Sequence, residues 1–337
     1  MKRFMIFMTL ILLISASMYS ELVKKTKSEV SFKKFGTFSV VSIEKFAKDR
    51  KYVETDSKFK GKGIAGMAAK VFLKSGKTGE IIDLPAMTIF QIDHKKKTYR
   101  TSPIQEITDQ GGSGEAPVSA GTQGEDSSQS VKITRSEFRV DDTGETKVIN
   151  QFETRKFTIT WITEWENIET GLKGKDRLLT DVWATPFTGE LQASIDQEKE
   201  FSSAYLKKQG IEMNAAQQQM LGLNWIQILG SLGEGGAGSQ AESSKFSDEL
   251  EKIKGYPIVV DGKYYSVREG GEEVEEEKKG GVKNMLGGLA RKALKKKSKN
   301  PEEEPSFTYY NELLELNAAQ LDDSAFQVPS NYKKKGK

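Results

Sequence analysis

The sequence contains no cysteine and a single histidine, His94, among its 337 residues. Disulfide bonds, acyl-modified cysteines and zinc sites with cysteine ligands are therefore excluded. A Ser-His-Asp hydrolase site is not indicated either, because no Gly-x-Ser-x-Gly elbow supplies a nucleophile. Carboxylates remain as possible ligands for hard cations, and no metal site is predicted. The sequence thus predicts neither enzyme activity nor a bound cofactor.

An excess of one charge sign is also lacking. The chain has 51 Lys and Arg residues against 48 Asp and Glu residues. Proteins that bind nucleic acids normally carry a basic excess or a basic stripe. The composition therefore predicts no nucleic-acid partner.

The one long apolar run lies at the N-terminus. Lys2 and Arg3 precede residues 4–14, which are apolar except for Thr9, and the small residues Ser15-Ala16-Ser17 follow. This order is typical of a secretory signal peptide, and the run is shorter than the roughly 20 apolar residues of a spanning helix. Residues 1–20 are therefore predicted to be the signal peptide of a secreted protein that is not a lipoprotein. An uncleaved membrane anchor is the alternative.

Three stretches rich in glycine, serine and acidic residues predict flexible surface loops. They cover about residues 109–130, 231–243 and 269–281. The segments between them have the wrong size to fold separately. Residues 21–337 are therefore predicted to form a single domain.

Period-two alternation dominates the segments between these loops. Phe157, Ile159 and Trp161 alternate with threonines, and the chain returns along residues 176–184, which predicts a long antiparallel hairpin. In this interpretation Asp142-Thr143-Gly144 and Asp261-Gly262 are hairpin turns, and His94 is an exposed turn residue. Further strands are predicted at residues 37–46, 51–59, 71–73, 79–84, 87–92, 98–102, 131–140, 145–149, 257–260, 264–267 and 307–316.

Helical periodicity appears in the middle of the chain and in one later segment. Helices are predicted at residues 196–209, 213–229 and 244–254, so the order of strands, helices and strands predicts an α+β fold. Residues 282–297 combine an apolar stripe with a basic face. Such a basic amphipathic helix is typical of contact with an anionic membrane surface, while packing of the stripe on the protein's own sheet is the alternative. The residues predicted to contact the membrane are Met285, Leu289, Arg291, Lys292, Lys295 and Lys296.

Aromatic residues on the hairpin and on the longest predicted helix are candidates to line a cavity between sheet and helices. Ordinary core packing is the alternative for each of them. Asp181 is the one acidic residue considered for a catalytic carboxylate pair, and a solvent-facing strand position is its alternative. The predicted lining residues are Phe157, Ile159, Trp161, Trp183, Met220 and Trp225.

Six segments together carry a resemblance to a known family. They are IFQIDHKKKTYRTSP (89–103), GETKVINQFETRKFTITW (144–161), LLTDVWATPFTGELQ (178–192), EFSSAYLKKQGI (200–211), GYPIVV (255–260) and AFQVPSNYKK (325–334). These segments resemble the exported bacterial proteins of the domain-of-unknown-function 4412 family, whose sheet is similar to that of the lipoprotein carriers LolA and LolB. The resemblance implies a strongly curved antiparallel half-barrel with helices on its concave side, and a periplasmic location. Relatives of that architecture hold acyl chains or other apolar molecules between sheet and helices. The chain departs from the family pattern at Gln151, where a glycine is usual.

Two functions follow as expectations. The leading one is a non-enzymatic periplasmic protein that binds a lipid or another apolar ligand between sheet and helices. The alternative is an envelope interaction or structural module with a closed, packed core, acting through its loops or through the basic amphipathic helix. An apolar cavity in the usual range of about 300–1,000 Å³ would favour the first function.

Overall fold

A computed structural model describes residues 21–33, 35–63, 66, 75–106, 131–211, 248–269 and 304–336. Over these residues the protein is a large, mostly antiparallel sheet of twelve strands with few helices, and the sheet is open rather than closed. The helices are α1 (Gly189–Lys208) and a 3₁₀ turn (Asp323–Phe326). The strands are β1 (Glu21–Phe32), β2 (Gly36–Phe46), β3 (Arg50–Gly61), β4 (Gly76–Asp83), β5 (Thr88–Asp93), β6 (Thr98–Pro103), β7 (Val131–Ile149), β8 (Phe152–Asn167), β9 (Lys173–Thr185), β10 (Tyr256–Glu269), β11 (Phe307–Ala319) and β12 (Lys333–Lys334).

The strands form two meanders that meet in the middle of the sheet. Their spatial order is β12-β6-β5-β4-β3-β2-β1-β11-β10-β9-β8-β7. Strand β11 returns from the C-terminal part of the chain to pair antiparallel with β1. Because this pairing joins the two ends of the described chain, the centre of the sheet depends on contacts between distant residues.

The strand register divides the side chains between two faces, since successive residues of a strand point to opposite sides. We call the side on which α1 packs the helix face and the other side the opposite face. Phe201 of α1 lies edge-to-face with Phe46, with 6.0 Å between ring centroids, and packs in the same cluster as Leu22. In the other meander, Phe157 and its cross-strand partner Val182 belong to the helix face.

Two apolar clusters occupy the helix face. The first lies under α1 and contains Leu22, Phe46, Ile82, Leu84, Ile104 and Phe201. The second spans β7 to β11, and Leu250 and Ile253 pack against it. Its buried residues are Val140, Phe157, Ile159, Leu178, Val182, Ala184, Val260, Tyr264, Phe307 and Tyr309.

The predicted hairpin turn at Asp142-Thr143-Gly144 is wrong. Strand β7 runs through these residues, and its pairing with β8 shifts between Asp142 and Thr146. Gly144 adopts a positive φ of 75°, and the backbone N–H of Gly144 donates a hydrogen bond of 3.0 Å to Asp142 Oδ1. The long partner strand continues on both sides, so the extra residues form a bulge instead of reversing the chain.

The predicted hairpin at Asp261-Gly262 is also wrong. Strand β10 is continuous and is hydrogen-bonded to β9 on one side and β11 on the other. A Cβ atom at Gly262 would lie 3.3 Å from Thr180 Oγ1, so the glycine suits a close approach between strands. Pairing on both sides overrides the local turn preference of the dipeptide.

The helix predicted at residues 196–209 is confirmed, although α1 begins earlier, at Gly189. Lys207 and Lys208 lie in its last turn, where cations complement the helix dipole. Of the helix predicted at 244–254, residues 248–250 are helical and the chain turns after them. The predicted signal peptide 1–20, strand 71–73, helices 213–229 and 282–297, and loops 109–130 and 231–243 lie outside the described residues, as does the loop at 269–281 beyond Glu269.

No helix in the described part of the chain is both long enough and apolar enough to cross a membrane.

Candidate functional site

Three of the predicted lining residues share the helix face. Phe157 and Ile159 on β8 are each 1% exposed, and Trp161 is partly buried beside them. The ring of Trp161 lies edge-to-face with that of Phe138, at a centroid distance of 6.4 Å. These residues therefore line the apolar cluster of β7 to β11, as their alternation predicts.

Trp183 lies on the opposite face and does not join them. Its cross-strand partners are Lys156 on β8 and Val259 on β10. Lys147 Nζ lies 3.8 Å from the centroid of the indole ring, a cation–π distance. Because Phe157 pairs with Val182, the neighbouring Trp183 must point away from it.

The other predicted site residues lie outside the described part of the chain. These are the lining candidates Met220 and Trp225 and the membrane-contact candidates Met285, Leu289, Arg291, Lys292, Lys295 and Lys296.

Asp181 is a partly exposed carboxylate on the opposite face. It accepts a hydrogen bond from Thr158 Oγ1 at 3.2 Å, and Lys156 Nζ lies 3.1 Å away. Asp261 stands directly opposite it on β10. Since Lys156 balances its charge, the geometry is that of a surface ion pair on a strand.

A buried ionic cluster lies between α1 and the helix face. Lys24 on β1 is 8% exposed, and its Nζ lies 2.9 Å from each carboxylate oxygen of Glu198 on α1. Beside it, Lys51 Nζ lies 2.7 Å from Glu44 Oε2. Burial alone would lower the pKa of Lys24, but Tyr256, Glu198 and Glu44 outweigh it and raise the pKa above its usual value. Burial likewise opposes ionisation of Glu44, yet Lys51 and Lys24 hold its pKa below its usual value.

This cluster fixes α1 on the sheet. It lies next to the apolar cluster of Leu22, Phe46 and Phe201, and Lys51 Nζ is 4.6 Å from the centroid of the Phe46 ring. The bonded partners Lys24 and Glu198 are 174 residues apart. The sequence contains no local signal for this pairing, and sequence analysis missed it.

A second buried polar cluster surrounds Asp176 on β9. Asp176 accepts hydrogen bonds from Trp165 Nε1 at 2.8 Å, from Ser266 Oγ at 2.7 Å and from Arg268 Nη1 at 2.9 Å. A Cβ atom on Gly174 would lie 2.3 Å from the Trp165 ring, so only glycine leaves room for the indole. The cluster ties β8, β9 and β10 together at the end of the hairpin.

An open groove of about 540 Å³ lies on the helix face over β3 to β6. Its lining mixes apolar and polar residues and carries both charge signs, whereas the sequence predicts an apolar cavity. The lining residues are Val53, Thr55, Thr78, Gly79, Glu80, Gln91, Ile92, Asp93, Lys96, Thr98, Tyr99, Arg100 and Lys335.

His94 is not the exposed turn residue that the sequence predicts. Its side chain is 15% exposed, and its Nδ1 and Nε2 atoms lie 3.0 Å and 3.3 Å from the hydroxyl oxygens of Tyr332 and Tyr52. Burial lowers the pKa of His94 below its usual value, more than the nearby Glu54 raises it. The sequence hid this role because Tyr332 comes from the distant C-terminal segment, which pairs with β6 through β12.

A scan of the sequence against protein-family models gives no match, and a comparison with curated proteins gives none either.

Proposed function

We propose that the chain is a non-enzymatic periplasmic protein that holds a lipid or another apolar ligand against the helix face of its sheet. In this proposal the sheet curves into a half-barrel, and the segments packed on its concave side enclose the ligand. The resemblance to the domain-of-unknown-function 4412 family and to LolA-like carriers supports the same architecture.

One observation carries the proposal: the apolar character of the helix face is continuous across five neighbouring strands. Phe157, Val182, Val260 and Phe307 come from β8, β9, β10 and β11, and all belong to one cluster, which Val30 of β1 extends. Leu250 and Ile253, which precede β10, pack on this surface from outside the sheet. A surface of this composition can take up an acyl chain once the segments packed on it move apart.

The alternative function is an envelope interaction module with a closed core. The burial of the same cluster favours it, since Val182 is 0% exposed and Phe157 1% exposed. In that case the helix face would exclude ligands, and the loops or the basic amphipathic helix would make the functional contacts.

Two tryptophans on opposite faces allow a matched test. Binding of a fluorescent fatty acid to the full chain is followed by energy transfer from tryptophan in the wild type and in the variants Trp161→Phe and Trp183→Phe. If the ligand lies on the helix face, Trp161→Phe removes a large part of the transfer and Trp183→Phe removes little. Saturable binding with equal losses in both variants, or no binding, would contradict the proposed site.

A further inference from the structure

The floor of the groove over β3 to β6 consists of two rows of side chains that cross four strands. Residues in one row are direct cross-strand partners, so their side chains stand next to one another on the helix face. The first row is Val53, Glu80, Gln91 and Arg100, and the second is Thr55, Thr78, Asp93 and Thr98. All eight line the groove of about 540 Å³.

Two opposite charges in the first row have no ion-pair partner among the described residues. Over the described residues, neither Glu80 nor Arg100 takes part in an ion pair or a side-chain hydrogen bond. The cation that lowers the pKa of Glu80 is Lys51, and its Nζ lies 2.7 Å from Glu44 Oε2. Burial raises the pKa of Glu80 above its usual value, as expected for a half-buried carboxylate that lacks a counter-ion.

Asp93 and Lys96, which also line the groove, are paired with each other. Asp93 in the second row has Lys96 Nζ at 3.6 Å and accepts a hydrogen bond from the Lys96 backbone N–H at 2.9 Å. Within the described part of the chain, Glu80 and Arg100 are thus the charged residues of the floor that have no ion-pair partner. They are separated by Gln91, whose side-chain amide can both donate and accept hydrogen bonds.

The spacing of these two groups selects a class of ligand. Glu80 and Arg100 stand two strands apart, which places their backbones about 9–10 Å from each other. An extended dipeptide spans about 7 Å between its ends, so its ammonium and carboxylate groups match the two side chains. A guanidinium group binds a carboxylate through two parallel hydrogen bonds, and a carboxylate binds an ammonium group.

We infer that this groove binds a small zwitterion, such as a free dipeptide, with its ammonium group on Glu80 and its carboxylate group on Arg100. The site goes beyond the proposed apolar-ligand function, because it uses the polar end of the helix face and other strands. An apolar chain laid in this groove would leave the side-chain amide of Gln91 and the two charges without partners.

The test is isothermal titration calorimetry on the full chain with three probes: L-alanyl-L-alanine, its N-acetyl form and its C-terminal amide. The inference predicts saturable binding of the free dipeptide and a loss of at least about tenfold in affinity on capping either end. Affinity for the free dipeptide should also fall as the pH is lowered through the ionisation of Glu80. Absence of saturable binding at millimolar dipeptide, or equal affinity for all three probes, would overturn the inference.

Variants test which side chain binds the ammonium group of the dipeptide and which binds its carboxylate group. Glu80→Gln should bind the free and N-acetyl dipeptides equally, and Arg100→Gln should bind the free and amidated dipeptides equally. Glu315→Gln serves as the control, because Glu315 pairs with Lys25 on the opposite face and should leave all three affinities unchanged. Far-UV circular dichroism checks that each variant is folded. Wild-type selectivity in both folded Glu80 and Arg100 variants would place the probe elsewhere and contradict the inference.

Discussion

Lys24 Nζ lies 2.9 Å from both carboxylate oxygens of Glu198, and this buried ion pair joins the first strand of the sheet to helix α1. The side chains are 11% and 23% exposed. Removing one partner of such a pair leaves the other charge buried without compensation, whereas replacing both with apolar groups is often tolerated.

Glu198→Gln is therefore expected to lower the free energy of unfolding by about 3 kcal/mol, and Lys24→Met with Glu198→Leu should recover most of the loss. Urea unfolding at neutral pH measures both. The matched control is Glu315→Gln in the exposed pair with Lys25, where the loss should stay below about 1 kcal/mol. Equal losses for the buried and exposed pairs would show that the buried pair does not hold α1.

The same cluster predicts how stability changes with pH. Because the folded-state pKa of Glu44 is lowered, its contribution is present above the unfolded value of 4.5 and is lost as the pH falls through the folded value. Lys24 has a raised folded-state pKa, so its contribution is complete below 10.5 and is lost as the pH rises through the folded value. Lys51→Met, which removes the partner of Glu44, should move the acid-side loss of stability to higher pH in urea unfolding series. An unchanged acid limb would contradict this assignment.

Asp176 organises the far end of the β8–β9 hairpin, and its removal should be costly. Asp176→Asn weakens hydrogen bonds to three donors at a site that is 6% exposed, and we expect a loss of about 2–4 kcal/mol in the free energy of unfolding. The fluorescence of Trp165 should change as well. Asp56→Asn in the partly exposed pair with Lys58 is the control and should lose less than about 1 kcal/mol.

Gly174→Ala tests the cluster around Asp176 by steric crowding rather than by a change of charge. Gly174→Ala places a methyl group within the volume of the Trp165 ring, so the indole or the strand must shift, at a cost of about 1–3 kcal/mol. Gly189→Ala is the matched control, since no atom lies within 4 Å of its added Cβ. Thermal unfolding should give a lower Tm for Gly174→Ala than for Gly189→Ala. A destabilised Gly189→Ala with an unaffected Gly174→Ala would reverse the prediction.

His94 is the single histidine of the chain, so its ring resonances can be assigned without ambiguity. We expect an NMR titration to give a pKa below 6.5, because partial burial disfavours the charged imidazole. The contribution of neutral His94 to stability is then present above pH 6.5 and is lost as the pH falls toward the folded-state pKa. Tyr332→Ala exposes the ring and should bring the pKa closer to 6.5. A pKa at or above 6.5 in the wild type would contradict the partly buried geometry.

The sheet could be predicted from the sequence wherever alternation was undisturbed. The hairpin of β8 and β9 is confirmed, and so are β2 to β6 and β11. Strand β1 was missed because Lys24, Thr26 and Ser28 occupy its helix-face positions, which hides the period of two. The hairpin turns predicted within β7 and β10 are wrong because turn preference is local, whereas the pairing of a strand with its neighbours is decided by distant residues.

Less of the candidate site could be predicted from the sequence. Phe157, Ile159 and Trp161 were correctly placed on one face, because alternation within one strand is a local property. Trp183 was assigned to the wrong side, because its face depends on the register between β8 and β9, which the sequence alone does not specify. The alignment of Glu80 and Arg100 in one row becomes visible only when β4, β5 and β6 are paired.

The most direct test of the proposed function is native mass spectrometry, followed by organic extraction, on protein purified from cells that express the full chain. The proposal predicts a lipid or another apolar molecule bound at near-stoichiometric amount and released by the solvent. A mass that matches the chain alone, and that stays unchanged after incubation with membrane lipids, would contradict the proposal and favour a closed interaction module.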